Sequence, residues 1–240
     1  MNVALYPGFL AEKDTFSLAS DFPNFATGTD GWTSLAADGS ATVSVGDARS
    51  GIVALVTGAT DNNEAMLRST NELFLPTAGR PAFGRVRLNL TEVNTDDANL
   101  FFGFASAAGA NLLVDDGAGP RTSGSIFGIY KVDGGTVWRT ITRNGSDSTD
   151  TISITSNDMT SGTYLDLEVH ICEFNTLQCV VTFLVNGLYL RDNTSFNNPI
   201  SHRVSYASLT EMNFVPCYIK AGSANSETPN VDYAVGAQAR

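Results

Sequence analysis

Asp166 and Glu168 stand two residues apart in the run Tyr164-Leu165-Asp166-Leu167-Glu168-Val169-His170-Ile171. In an extended strand, residues i and i+2 project from one face, so both carboxylates share a surface with Tyr164 and His170. Paired carboxylates can cleave a glycosidic bond, one as acid and the other as base or nucleophile. Alternation of apolar and polar residues produces the same spacing without any chemistry, and the stretch reads first as a polar strand face. Such a face could also offer a shallow surface to a sugar.

Other constellations are weaker. There is no Gly-x-Ser-x-Gly elbow, and His170 and His202 are the only histidines, so a nucleophilic triad is not expected. Gly117-Ala118-Gly119-Pro120 lacks the spacing of a phosphate-binding loop. The acidic clusters Asp61-Asn62-Asn63-Glu64, Asp96-Asp97 and Asp115-Asp116 match no calcium loop and read as solvated turn tips. No catalytic residue, metal or cofactor is therefore expected. Trp32 and Trp138 are read as core residues, with stacking on a sugar as the alternative. On that alternative, Trp138, Tyr164, Asn193 and Phe196 are the glycan-contacting candidates, the last two in the polar Asp192 to Asn198 loop.

The positioning framework is legible in composition and pattern. Among 240 residues, 14 Lys and Arg face 25 Asp and Glu, a net charge of −11. Only three of the cations are lysines (Lys13, Lys131, Lys220) and no basic run exists, which argues against nucleic-acid binding. The N-terminus lacks a cationic leader, and the uncharged stretch 99–114 is broken by glycine and asparagine, so a soluble protein is expected. Three cysteines (Cys172, Cys179, Cys217) suit a reducing compartment; Cys172 and Cys179 flank a turn near Asn175, and their pairing is left open.

Period-two alternation recurs and no sustained helical stripe does. Residues 163–171 and 85–90 alternate cleanly, whereas residues 51–57, 100–104 and 180–185 are apolar on both faces and read as central strands. Asp133-Gly134-Gly135, Asn175-Thr176 and Asn186-Gly187 mark hairpin turns. Many short strands in one chain of this length predict an all-β fold: a two-sheet antiparallel sandwich or jelly roll of roughly a dozen strands. The expected division is an N-terminal arm, residues 1–20, and a β-sandwich domain, residues 21–240. The arm carries Val3, Leu5, Tyr6, Phe9 and Leu10, too apolar for a free tail, and is expected to bind a partner or its own body.

The order of segments carries a resemblance. Phe22 to Phe25 followed by Gly31-Trp32, then residues 51–58 and Phe101-Phe102-Gly103-Phe104, resemble the front half of concanavalin-A-like (laminin-G-like) jelly rolls. Residues 164–169, 181–187 and 231–240 resemble the back half as it is laid out in many tailed-bacteriophage virion proteins. The sandwich hydrolases of this fold carry Glu-x-Asp-x-x-Glu or Glu-x-Asp-x-Glu, and neither run is present. The resemblance implies a non-enzymatic capsid decoration (cement) protein on the virion surface. Its partners would be the major capsid protein and copies of itself, in a homo-oligomer such as a trimer, without direct contact to nucleic acid or membrane. The alternative is a lectin-like carbohydrate-binding module or a tail-associated receptor binder. Fold alone does not award function.

Overall fold

The computed structural model describes residues 15–22, 25–37, 40–45, 51–92, 97–145, 151–159, 161–194 and 198–240. Among them are eighteen strands, more than the dozen that turn spacing suggested, in two large antiparallel sheets and one small hairpin. Sheet A contains β1 (Thr15–Ser20), β3 (Thr42–Val45), β4 (Val53–Val56), β6 (Ala82–Thr91), β13 (Leu165–Asn175), β14 (Gln178–Val185), β15 (Leu188–Tyr189), β16 (Ser201–Ser205) and β18 (Thr228–Ala239). Its order is β15-β14-β13-β6-β18-β4-β3, with β1 also on β18 and β16 also on β14. Sheet B runs β12 (Thr151–Asp158), β11 (Val137–Gly145), β10 (Gly124–Lys131), β7 (Ala98–Ala105), β17 (Asn213–Ala221), β5 (Glu64–Ser69) and β2 (Trp32–Ala36). The small hairpin pairs β8 (Leu113–Val114) with β9 (Gly119–Pro120). Strand β1 of sheet A thus lies inside the span that the sequence assigned to an arm. Residues 1–14, including Val3, Leu5, Tyr6, Phe9 and Leu10, lie outside the described residues.

The inner faces meet in one core. Sheet A contributes Val86, Leu88, Leu167, Val169, Ile171 and Phe183; sheet B contributes Leu100, Phe102, Phe104, Phe127, Trp138 and Phe214. Burying side chains of this size stabilises by about 1.5–3 kcal/mol each. Gly84 and Gly236 sit opposite one another across β6 and β18. A Cβ would meet Phe214 at 2.7 Å from the first and at 2.9 Å from the second. The pair lets the rings of Phe74, Phe104 and Phe214 pack directly on the backbone of sheet A.

The outer faces differ, and the difference decides where a ligand can land. On sheet B, Met66, Phe101, Ile126, Tyr130, Ile141 and Tyr218 form a second apolar cluster roofed by Ala108, Leu112 and Leu113 of the 106–123 connection. That roof is stapled by buried polar groups. The Glu64 carboxylate accepts from Asn111 N at 2.9 and 3.0 Å and from the Tyr218 hydroxyl. The Lys220 ammonium donates to Asn111 Oδ1 at 2.8 Å and pairs with Asp115. Among the described residues sheet A carries no such roof, and residues 178–183 of β14 alternate between half-buried and buried positions instead of being buried on both faces as the apolar run predicted. Strand β7 is buried throughout, as expected.

Candidate functional site

The polar strand face predicted on residues 164–170 is the outer face of sheet A. Leu165, Leu167, Val169 and Ile171 point into the core, while Asp166 and His170 are half-buried on the opposite side. Register places Asp166 beside Arg87 and Glu168 beside Arg85. Arg85 Nη2 lies 3.3 Å from Asp166 Oδ2, and Arg85 Nε lies 3.7 Å from Glu168 Oε1. His170 Nε2 is 2.9 Å from Glu168 Oε2, and its ring packs edge-on against Phe83 at 4.9 Å.

A bulge extends the network into β18. Val231 pairs with Leu88 but Tyr233 pairs with Arg87, so one extra residue enters between them. Bulges re-aim side chains, and here two consecutive residues reach the outer surface. Asp232 Oδ2 contacts Arg87 Nε at 3.2 Å, and the Tyr233 hydroxyl donates to Asp166 Oδ1 at 3.2 Å. The Arg85 guanidinium lies over the Tyr233 ring and that of Arg87 over the Tyr164 ring, each at 5.3 Å. Burial raises the Tyr164 phenol, Asp232 adds to the shift and Arg87 opposes it. Tyr233 is pushed up to about 12 by burial first, with Arg85 opposing and Asp166 and Glu168 adding to it. Both tyrosines keep their protons at neutral pH and present hydroxyls that donate and accept.

Asp166 and Glu168 share guanidinium partners, and Glu168 holds His170 as well. Among the described residues, the result is an amphiphilic platform of two half-buried tyrosines among alternating charges.

The other candidates are scattered. Trp138 is fully buried between the sheets, which removes its ring from any ligand, and its indole N–H has no hydrogen-bond partner among the described residues. Asn193 is exposed beside the edge strand β12, where its N–H donates to Ile154 O at 3.1 Å. Phe196 lies outside the described residues. Cys172 and Cys179 are free thiols, and their register places them on opposite faces of sheet A, which forbids a bridge. Among the described residues no group of three or more His, Cys, Asp or Glu is arranged to hold a metal ion. Glu64, read as part of a solvated tip, is only 3 % exposed because it staples the roof of sheet B. Arg85, Arg87, Asp232 and Tyr233 were not singled out for the site. Alternation marked the two arginines as outward-facing, but nothing local places β6 beside β13 or the bulge in β18.

No family model matches the chain, and none of the curated proteins does. Solved structures do match in fold. An endo-1,3-beta-glucanase from Streptomyces sioyaensis superposes with a TM-score of 0.59 at 11 % identity, over 95 % of this chain and 98 % of the enzyme. The carbohydrate recognition domain of Emp47p gives 0.56 at 12 % identity, covering 94 % and 95 %. Peanut lectin gives 0.53 at 15 % identity, covering 93 % and 97 %. With its two antiparallel sheets, the chain has the β-sandwich fold of the concanavalin-A-like, legume-lectin-type jelly rolls.

Proposed function

We propose that the protein is a lectin-like domain that binds carbohydrate on the outer face of sheet A without cleaving it. The observation that carries this reading is the ion-paired state of Asp166 and Glu168 beneath an open platform bearing Tyr164 and Tyr233. Aromatic rings beside fixed hydroxyl, carboxylate and guanidinium groups suit a sugar, which has an apolar C–H face and a rim of hydroxyls. Peanut lectin and the Emp47p domain share the fold with a glucanase, so fold by itself leaves binding and hydrolysis open. The neutralised carboxylates favour binding. The capsid-decoration reading relies on burial of the apolar arm across capsomer boundaries and has no support among the solved neighbours.

A glycan array with purified protein is the direct test. A hit should weaken at least ~10-fold in Tyr164→Ala, the loss of roughly 1.4 kcal/mol of ring contact. Hydrolysis of a bound glycan that disappears in Glu168→Gln would overturn the non-catalytic part of the proposal.

A further inference from the structure

A cavity of about 290 Å³ opens where β1 and the end of β18 meet residues 73–80 and Glu211. Its size falls just below the usual range of small-molecule sites, about 300–1,000 Å³, and suits one ring better than a chain. The wall is apolar: Phe16, packed edge-on to Phe74 at 5.6 Å, together with Leu73 and Leu75. Gln238, 7 % exposed, fixes the rim. Its Oε1 accepts from Leu75 N at 2.9 Å, and its Nε2 donates to Leu75 O at 2.5 Å and more distantly to Arg80 O at 3.4 Å.

Around the mouth stand Arg80, Glu211 and Arg240, all exposed. The ion pairs of the described residues include none of the three, in contrast to the mutually paired charges on sheet A. Two guanidinium groups beside an apolar wall are an unusual offering on a chain of net charge −11, whose overall field repels anions. A guanidinium fork matches a carboxylate in two parallel hydrogen bonds, a carboxylate such as Glu211 accepts from hydroxyls, and the wall takes an apolar ring face.

We propose that this cavity binds a carboxylate-bearing monosaccharide unit, a uronic acid residue. Arg80 and Arg240 hold the carboxylate, Glu211 the ring hydroxyls, and Phe16 and Leu73 the C–H face. The inference rests on the carbohydrate-binding reading and adds a second, chemically distinct site to the platform on sheet A. Titration by calorimetry and ligand-observed NMR, carried to ~10 mM, would use D-glucuronate, D-glucose and glutarate as probes. Glucuronate should bind at least ~10-fold more tightly than either other probe, and both Arg80→Ala and Leu73→Ala should weaken it about 10-fold. Equal binding of glutarate would show that only a carboxylate is read and would overturn the proposal, as would glucuronate binding unchanged in both variants. Glycan binding that Tyr164→Ala abolishes, together with no glucuronate binding up to ~10 mM, would overturn the cavity site while leaving the proposed function standing. Absence of binding to any saccharide would remove both.

Discussion

His202 shows how a single buried residue ties the two sheets together. It is 3 % exposed, with Nδ1 at 3.1 Å from Thr142 Oγ1 and Nε2 at 3.0 Å from Ser153 Oγ, and its ring meets Phe183 at 5.2 Å. Hydroxyls satisfy a neutral imidazole but offer no counter-charge, and burial pushes its pKa down to about 4. In the unfolded chain a histidine titrates near 6.5. The unfolded state therefore takes up the proton first, and stability present above pH 6.5 is lost as the pH falls toward 4. The full loss is roughly 3 kcal/mol. Urea unfolding between pH 7 and 4.5 should show this slope in the wild type, and a shallower one in His202→Phe. Equal slopes would mean that His202 is not neutral in the fold. Two histidines were visible in the sequence; which of them lies between sheets was not, because Thr140, Thr142 and Ser153 approach it from strands 49 to 62 residues away.

At the scale of elements, β6 and β18 are held at their spacing by what they lack. The facing pair Gly84 and Gly236 admits the aromatic cluster of sheet B, and a Cβ at Gly84 would also stand 3.0 Å from the Phe104 ring. Neither ring can retreat, since Phe74, Phe102 and Trp32 pack around Phe214 and Phe74 around Phe104. Gly84→Ala should cost about 1–3 kcal/mol by overpacking, read as a lower urea midpoint at unchanged slope. A midpoint equal to that of the wild type would show that the rings shift freely. The strands themselves were legible: β13 by alternation, β10 and β11 by the Asp133-Gly134 turn between them, and β7 by an apolar run that proved to be buried on both faces. The run that became β14 misled, because among the described residues nothing roofs its outer face as the 106–123 connection roofs sheet B. The roof of sheet B could not be foreseen either, since Glu64 read as part of a solvated turn tip and nothing local brings Asn111 to Glu64 and Lys220.

For the molecule as a whole, one core links both sheets, so the described residues should unfold as a unit. Trp32 and Trp138 report from opposite ends of sheet B, and both are buried. Fluorescence of Trp32→Phe and of Trp138→Phe should therefore give unfolding midpoints that coincide with that of circular dichroism in the same variant. Separated midpoints would mean that the two ends of the sandwich melt independently. The net charge of −11 also changes meaning in three dimensions: Glu64 is buried with partners, Glu92 pairs with the buried Lys131, Asp166, Glu168 and Asp232 are paired with arginines, and Arg80 and Arg240 flank a cavity.

The sequence by itself determined the class of fold, the direction in which most strands face and the absence of a recognisable catalytic motif. These depend on local geometry: alternation sorts side chains to two faces, and glycine with aspartate or asparagine turns the chain. Only the tertiary structure decided that the outer face of sheet B is roofed, that Asp166 and Glu168 meet Arg85 and Arg87, that Asp232 and Tyr233 reach the same surface through a bulge, and that a cavity forms beside Gln238. Each of these depends on pairing between strands far apart in the chain. Between strands far apart in the chain no turn fixes the register, and their pairing and order are settled by packing of the whole core.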